Sequence, residues 1–279
     1  MHFVKMHGLG NDFIVVNPEA EGLDETQFSE LAVRWCDRHF GIGADGLILV
    51  LPSSIADFQM RIFNPDGSEA EMCGNGIRCF GKYVYERRLS SHNPLRVETL
   101  AGTQELDLNV SNGKVESVAV DMGEPRLQAA QIPLAGEERE TVVDMPMVVD
   151  GIEYRFTAVS MGNPHCVIFV EDVERILLAE VGPKIEHHSL FPEKTNVHFV
   201  QVLSRSSIRM RVWERGAGIT LACGTGACAA LVAAVLNGKT ERQATVHLPG
   251  GALDVEWRAD NHVVMTGPAT EVFEGETIE

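Results

Sequence analysis

Positive charge is scarce in this sequence. Its 23 lysines and arginines stand against 40 aspartates and glutamates, which gives a formal net charge of −17 at pH 7. Nucleic acids and anionic membrane surfaces are bound largely through basic residues, so this balance disfavours both. We therefore expect no nucleic acid and no membrane among the partners. A small-molecule substrate stays open, because its site needs only a local field.

Long apolar runs are also missing. The longest, residues 227–236, is too short to span a bilayer. The opening stretch MHFVKMHGLGNDFIVV is interrupted by His7, Gly8 and Gly10 before an apolar run develops, unlike a secretory signal. The sequence therefore predicts a cytoplasmic protein.

The six cysteines lack the spacing of a metal site or a disulfide framework. No Cys-x-x-Cys pair occurs, and neither Cys73 with Cys79 nor Cys223 with Cys228 has the spacing of structural zinc ligands. In a chain of 279 residues without a signal-like start, six cysteines favour reduced thiols. We expect no metal site.

One short pattern occurs twice in the chain. EMCGNGIRCF contains Cys73 and LACGTGACAA contains Cys223, each followed by Gly-x-Gly. The strings RIF and RVW begin 12 residues before their cysteines, and GNDFIVV and GNPHCVIFV begin 152 residues apart. A helix and three strand-like segments follow each cysteine motif. This order of matching landmarks predicts a duplicated chain.

The length and the repeat together predict two domains of the mixed α/β (α+β) class. Residues 227–236 are apolar on every side, which is typical of a fully buried helix, and strand-like segments flank both this helix and one from about residue 76 to 88. We expect two pseudo-symmetric domains, each a curled, mostly antiparallel sheet around a central helix. The polar, irregular segment 128–142 places the domains at 1–120 and 121–269.

The two repeated cysteines are the main candidates for chemistry. Each precedes glycines that lead into a helix, where unpaired N–H groups and the helix dipole favour negative charge. We therefore expect Cys73 and Cys223 to lose a proton more easily than ordinary cysteines. The glycines let backbone N–H groups approach a carboxylate. Thiols on opposite faces of one carbon can invert a stereocentre, one removing a proton and the other supplying one.

The remaining cysteines and several polar residues are interpreted differently. Four cysteines are predicted to be small buried hydrophobic residues: Cys36, Cys79, Cys166 and Cys228. Polar residues recur at strand ends and turns of both copies: Asn11, Asn64, Asn163, His165, Asn196, Glu214 and Arg215. Any one asparagine can simply be a turn residue that bonds its own backbone. Their recurrence at matching places favours ligand contacts.

These motifs resemble one known family. MHGLGNDF, FGIGADG, RIFNPDGSEAEMCGNGIRC, VSMGNPHCV, ERGAGITLACGTGACA and LPGG look like diaminopimelate epimerase along essentially the whole chain. The resemblance implies an isomerase without pyridoxal or other cofactor that interconverts LL- and meso-diaminopimelate, in lysine and peptidoglycan-precursor biosynthesis. It also implies two mirrored domains with a substrate cleft between them, a homodimer, and a last strand (270–279) that returns to the first domain.

The resemblance also implies roles for individual residues. Cys73 and Cys223 match the catalytic acid–base pair, with His165 and Glu214 as their polar neighbours. Backbone N–H groups for the reacting carboxylate are implied at Gly74, Asn75, Gly224 and Thr225. The remaining substrate contacts are implied at Asn11, Asn64, Asn163, Asn196, Glu214 and Arg215. One departure is Gly46, where some family members carry a glutamine that faces the substrate.

Two alternative functions stay open. Proline racemase-type enzymes share the fold and the thiol pair, but typically carry an acidic residue directly before the second cysteine, where this chain has Ala222. A non-catalytic nucleotide or small-molecule binding protein is the other alternative, because GTGACA loosely matches Gly-x-Gly-x-x-Ala. That match lacks a clean βαβ context and explains neither cysteine.

Overall fold

The computed structural model describes residues 1–136 and 138–278, and the chain divides into two compact units. Unit 1 contains Met1–Asp121 and the described residues from Thr266 onward, and unit 2 contains Met122–Met265. The chain therefore leaves the first unit once and returns to it at its end. No helix within the described ranges is long and apolar enough to cross a membrane.

Strands are the most frequent regular elements in both units. From Met1 to Asp121 the elements are β1 (His2–Gly8), β2 (Asn11–Val16), α1 (Pro18–Glu21), α2 (Phe28–Cys36), β3 (Gly46–Leu51), β4 (Phe58–Phe63), β5 (Glu69–Ala70), α3 (Gly74–Glu86), β6 (Leu95–Thr99), β7 (Gly102–Ser111) and β8 (Lys114–Asp121). They continue with β9 (Val142–Val149), β10 (Ile152–Ser160), β11 (Pro164–Phe169), α4 (Leu178–Glu186), β12 (Asn196–Ser204), β13 (Ser207–Glu214), β14 (Gly218–Thr220), α5 (Gly224–Leu236), β15 (Gln243–Leu248), β16 (Gly251–Trp257), β17 (Val263–Gly267) and β18 (Thr270–Glu276).

The strand pairing of unit 1 recurs in unit 2. In unit 1, β2 pairs antiparallel with β1 and parallel with β3, and β4 pairs antiparallel with β3 and β5 and parallel with β6. In unit 2, β11 pairs antiparallel with β10 and parallel with β12, and β13 pairs antiparallel with β12 and β14 and parallel with β15. The outer strands match as well, since β18 pairs with β1 and β9 pairs with β10. The predicted mixed fold with two similar, mostly antiparallel parts is confirmed.

Each unit packs one long helix against its strands. In unit 1, α3 contacts β1, β2, β3, β7 and β8, and it buries Ile77, Phe80 and Val84 completely. In unit 2, α5 contacts β10, β11, β12, β13, β15 and β16, and its residues from Ala227 to Ala234 are fully buried. Burying one large apolar side chain such as Phe80 stabilises the fold by about 1.5–3 kcal/mol. The predicted burial on every side is confirmed for residues 227–234, whereas Val235 and Leu236 are half-buried.

The glycines after each cysteine lie inside the helices, so the helices begin earlier than the predicted residues 76 and 227. A Cβ atom at Gly76 would lie 3.1 Å from the Ile48 side chain, and one at Gly226 would lie 2.4 Å from the His198 ring. These glycines therefore let strand side chains approach the first helical turn closely. The sequence instead predicts a turn before the helix at these glycines, because close approach from a distant strand leaves no local signal.

Candidate active site

Cys73 and Cys223 are the N-cap residues of α3 and α5, as the sequence predicts. Their backbones are nearly identical, with φ −138° and ψ 117° at Cys73 and φ −131° and ψ 109° at Cys223. The N–H groups of the first helical turn have no partner within a helix, so each helix start can hold an anion. The Gly226 N–H already donates to the Cys223 sulfur, at 3.3 Å.

Asn11 presents a hydrogen-bond acceptor to Cys73. The Cys73 Sγ atom lies 3.7 Å from Asn11 Oδ1, and Asn75 Nδ2 donates to the same oxygen at 3.1 Å. The other end of the Asn11 amide donates to Asp45 Oδ2 at 2.8 Å. Since both ends of the amide are engaged, its oxygen is held toward the thiol.

A fully buried arginine supports this half of the site. Arg78 Nη2 donates to Asn75 Oδ1 at 3.0 Å, and Nη1 donates to the carbonyl of Gly74 at 2.9 Å. Its Nε donates to the carbonyl of Pro268 at 3.2 Å, in the returning end of the chain. A buried guanidinium is costly unless it is bonded in this way. Sequence reasoning did not single out Arg78, whose one signal is a charged residue on the apolar side of a helix.

A cluster of charged side chains surrounds Asp45, the residue that accepts the Asn11 amide. Asp12 forms ion pairs with Lys5 and with Arg38, and Arg38 also pairs with Asp45 at 2.7 Å. Burial is the largest single influence and raises the pKa of Asp12, but the hydrogen bonds from Arg38 and Lys5 together lower this pKa to about 2. Asp12 is therefore a fixed anion, and Asp45, which accepts the Asn11 amide, pairs with the same arginine. Sequence reasoning did not identify this cluster.

Cys223 is more enclosed than Cys73, with 6% of its surface exposed. Burial, followed by the Glu214 carboxylate, raises the pKa of the Cys223 thiol well above its ordinary value, although bonds from Thr225 and Gly226 oppose this. The expectation of an easily ionised thiol is therefore wrong for Cys223. The helix N-terminus is outweighed by desolvation and by a neighbouring carboxylate, which sequence position does not reveal.

Glu214 is held in place by a hydrogen bond from Thr220. The Thr220 hydroxyl donates to Glu214 Oε1. The Glu214 carboxylate also lies close enough to the Cys223 thiol to raise its pKa. Glu214 therefore stands as a proton acceptor beside this sulfur.

His165 is completely buried and lies between two polar partners. Its Nε2 is 2.9 Å from Asn163 Oδ1, and its Nδ1 is 2.8 Å from His198 Nε2. Asn163 Nδ2 in turn donates to Thr225 Oγ1 at 3.3 Å. Burial, with His198 and Arg215 next, lowers the pKa of His165 well below its ordinary value. His165 is therefore neutral, and His198 is a partner that sequence reasoning missed.

Asn196 and Arg215 form a further pair in unit 2. Asn196 Oδ1 accepts the backbone N–H of Arg215 at 2.9 Å, while Asn196 Nδ2 donates to the carbonyl of Pro164 at 2.9 Å. Arg215 is exposed, and its Nη1 donates to the carbonyl of Glu193 at 2.9 Å. Asn196 thus fixes the backbone at Arg215, whose guanidinium is accessible.

Asn64 and Gly46 differ from the other candidates. Asn64 Nδ2 donates to Ser68 Oγ at 3.0 Å within the turn between β4 and β5, which matches the turn-residue interpretation of this asparagine. Gly46 is buried at the start of β3, where a Cβ atom would lie 3.1 Å from the carbonyl oxygen of Phe63. A glutamine side chain could not be added there without a shift of the neighbouring strand.

The other cysteines are buried, as predicted: Cys36, Cys79, Cys166 and Cys228. Burial raises the pKa of Cys36 to about 11 and that of Cys79 to about 12, so these thiols stay protonated. Within residues 1–136 and 138–278, no group of three or more His, Cys, Asp or Glu side chains is arranged to hold a metal ion.

Sequence comparison gives consistent matches. The profile of the family described as Diaminopimelate epimerase matches residues 3–128 and 157–272. The chain is 59% identical over 276 residues to Diaminopimelate epimerase of Pelotomaculum thermopropionicum, which covers 99% of this chain and 98% of that protein. It is 60% identical over 277 residues to Diaminopimelate epimerase of Moorella thermoacetica, with 99% of each chain covered.

Solved structures share the fold at much lower identity. A phenazine biosynthesis protein of the PhzF family from Bacillus anthracis matches with a TM-score of 0.73 and 19% identity, covering 100% of this chain and 99% of that one. A hydroxyproline epimerase from Agrobacterium vitis, with bound trans-4-OH-L-proline, matches with a TM-score of 0.68 and 16% identity, covering 99% and 91%. These matches establish the fold.

Proposed function

The chain belongs to the diaminopimelate epimerase family, and from this premise we propose that it interconverts LL- and meso-diaminopimelate with two thiols and no cofactor. The observation that carries the proposal is the equivalent placement of Cys73 and Cys223 as N-caps of the two central helices. Each repeated unit contributes one thiol at a helix start that can bind a carboxylate.

The proposed reaction is a proton exchange at the α-carbon. One sulfur, as thiolate, removes the α-proton, and the other, as thiol, delivers a proton to the opposite face. The two roles exchange in the reverse direction. Substrate carboxylate held by the N–H groups of Gly74, Asn75, Gly224 and Thr225 gains negative charge as the proton leaves. The helix N-termini stabilise that charge.

Glu214 is proposed to accept the proton of Cys223, so that this sulfur can act as the base. The pKa of Cys223 lies above the ordinary cysteine value because of burial and then Glu214, so this sulfur rests as a thiol. Transfer of its proton to Glu214 generates the thiolate. The N–H of Gly226 and the hydroxyl of Thr225, 3.3 Å and 3.6 Å from the sulfur, are placed to stabilise it.

The remaining polar residues are proposed to recognise the substrate. His165 and Asn163 lie beside Thr225 in unit 2, and Arg215 offers its guanidinium to a carboxylate. Asn11 lies beside Cys73 in unit 1. Asn196 acts mainly through Arg215, whose backbone it holds. Asn64 would have to leave its bond to Ser68 before it contacts substrate.

Stereochemical analysis tests this function directly. Purified protein is incubated separately with LL- and meso-diaminopimelate, and the stereoisomers are resolved by chromatography after derivatisation. We expect both reactions to converge on one mixture, without added pyridoxal phosphate or metal. L- and D-proline serve as rival substrates for the proline racemase alternative. Inversion of proline without inversion of diaminopimelate would reject the proposal.

The domain organisation, the location and the oligomeric state of the enzyme are proposed from three separate arguments. The two units are proposed to be the duplicated domains, because their strand pairings match. A cytosolic location suits a mechanism that needs two reduced thiols, since the cytosol keeps thiols reduced. A homodimer follows from the family resemblance and is tested by light scattering coupled to size-exclusion chromatography.

A further inference from the structure

A line of hydrogen-bonding contacts runs through unit 2 from His198 to Cys223. His198 Nε2 lies 2.8 Å from His165 Nδ1, and His165 Nε2 lies 2.9 Å from Asn163 Oδ1. Asn163 Nδ2 lies 3.3 Å from Thr225 Oγ1, which lies 3.6 Å from Cys223 Sγ. The line therefore joins a buried histidine on β12 to the sulfur at the start of α5.

The hydrogen bonds in this line have one direction. Burial lowers the pKa of His198 to about 3, and burial followed by the charges of His198 and Arg215 lowers that of His165 well below its ordinary value, so each ring carries one proton. An amide oxygen only accepts, so the His165 proton is on Nε2 and its Nδ1 accepts. His198 must then donate from Nε2. Because Asn163 donates to the Thr225 oxygen, the hydroxyl hydrogen of Thr225 is left for the sulfur.

The far end of the line supports this direction. His198 Nδ1 is buried and has no hydrogen-bond partner among the described residues. If His198 donates from Nε2, its Nδ1 atom carries no proton and can only accept a hydrogen bond. The reverse direction would place an unpaired N–H group there, and buried unpaired N–H groups are the rarer case in proteins.

The His198 ring is also held in place by close packing. A Cβ atom at Gly226 would lie 2.4 Å from His198 Cε1 and 3.0 Å from Cys223 Sγ. The ring and the sulfur thus lie against the same glycine, in the first turn of α5. His198 has little freedom to rotate away from His165.

We propose that His198 is a positioning residue that fixes the tautomer of His165 and, through Asn163 and Thr225, directs the Thr225 hydroxyl at the Cys223 sulfur. Its catalytic consequence rests on the proposed function, whereas the orientation itself concerns unit 2 alone. The hydroxyl stabilises the thiolate form of Cys223. The charged groups that act beside this line are Glu214, at the sulfur, and Arg215, near His165.

The first test measures the ionisation of Cys223 without turnover. Iodoacetamide alkylation of Cys223 is followed against pH by fragment-resolved mass spectrometry, which separates Cys223 from Cys228 in the same tryptic peptide. We expect His198→Leu to raise the pH midpoint by about half a unit, since one neutral hydrogen bond is lost from the line. His198→Gln, which keeps an N–H donor, should stay near the wild-type midpoint.

Thr225 supplies the matched pair at the other end. Thr225→Val removes the hydroxyl and should raise the Cys223 midpoint by about one unit, whereas Thr225→Ser should restore it. In turnover, His198→Leu should lower kcat with little change in KM and shift the basic limb of the pH profile in the same sense. A His198→Leu protein that folds and shows an unchanged midpoint would overturn the proposal.

The second test needs no variant. In wild-type protein labelled with nitrogen-15 histidine, long-range proton–nitrogen spectra report which ring nitrogen carries the proton. We expect Nε2–H at both His165 and His198, and an Nδ1–H form of His165 would overturn the proposal even if His198→Leu fails to fold. Since neither readout uses diaminopimelate, a protein without epimerase activity would reject the proposed function and leave this inference to its own tests.

Discussion

The Cys73 sulfur lies 3.7 Å from the amide oxygen of Asn11, which can only accept a hydrogen bond. The Cys223 sulfur instead has the Gly226 N–H at 3.3 Å and the Thr225 hydroxyl at 3.6 Å. The repeated helix starts therefore differ, since Asn11 offers Cys73 an acceptor whereas Cys223 has two donors and also the Glu214 carboxylate, which raises its pKa. The two sulfurs are therefore not equivalent, as a pair with separate acid and base roles requires.

Replacing either thiol should nearly abolish inversion. We expect Cys73→Ser and Cys223→Ser each to lower kcat by at least about a hundredfold in both directions, because a serine hydroxyl is far too weak an acid to ionise near neutral pH. Stereoisomer-resolved chromatography measures the rates. Cys79→Ser is the matched control, a buried cysteine in the first half of α3 that should cost stability more than turnover. Near-normal inversion by either active-site variant would remove that thiol from the mechanism.

Glu214→Gln should separate thiol acidity from catalytic rate. Burial and then Glu214 hold the pKa of Cys223 high, so removing the carboxylate should shift its alkylation midpoint down by about one unit. Epimerisation should nevertheless slow, because the proton acceptor for Cys223 is lost. Glu180→Gln removes the same charge from the exposed surface of α4 and should change neither property. A Glu214→Gln enzyme with a raised midpoint would contradict the account.

Stability should fall in mild acid because of the two buried histidines. In the folded protein burial holds the pKa of His198 at about 3 and that of His165 well below its ordinary value, while both titrate near 6.5 when unfolded. The unfolded state therefore binds more protons below about pH 6.5, and each histidine lowers the unfolding free energy by about 1.4 kcal/mol per pH unit there.

Urea unfolding at pH 7, 6 and 5 measures this dependence. Carboxylates such as Asp12 contribute mainly below about pH 4, where unfolded aspartate takes up protons, so the chosen range isolates the histidines. His198→Gln should remove about half of the fall in unfolding free energy between pH 7 and pH 5. If the unfolding free energies of the variant and the wild type fell equally from pH 7 to pH 5, His198 would be charged in the folded protein.

Arg215→Lys should weaken substrate capture although it keeps the charge. A guanidinium binds a carboxylate through two parallel hydrogen bonds, which an ammonium group cannot reproduce. We expect kcat/KM for diaminopimelate to fall by about tenfold or more. Arg209→Lys, at an exposed position of β13, is the matched control. An unchanged kcat/KM in Arg215→Lys would exclude this residue from the site.

Much of the architecture could be predicted because its signals are local. The repeated Cys-Gly-x-Gly pattern marked the two helix starts, and the uninterrupted apolar run of residues 227–236 marked a helix buried on every side. The burial of Cys79 and Cys228 followed from their places within those helices. Such features depend on spacing along the chain, which a single sequence displays.

The supporting residues of the site could not be predicted, because their roles depend on distant strands. His198 follows an apolar residue in β12 and looks like any alternating strand residue, yet it bonds His165 on β11. Arg78 reaches a carbonyl of Pro268, 190 positions along the chain. The raised pKa of Cys223 results from burial and from Glu214, neither of which is visible in the helix-start pattern that predicted an acidic thiol.

The route of the substrate proton tests the two-thiol mechanism most directly. The protein is incubated with LL-diaminopimelate in deuterated water, and substrate and product are separated and analysed by mass spectrometry at low conversion. The donor thiol has exchanged with solvent, so we expect product with deuterium at the inverted centre and recovered substrate that is almost unlabelled. A single base that serves both faces would return solvent deuterium to substrate. Early labelling of recovered substrate at the rate of product formation would contradict the assignment of Cys73 and Cys223 as opposing acid and base.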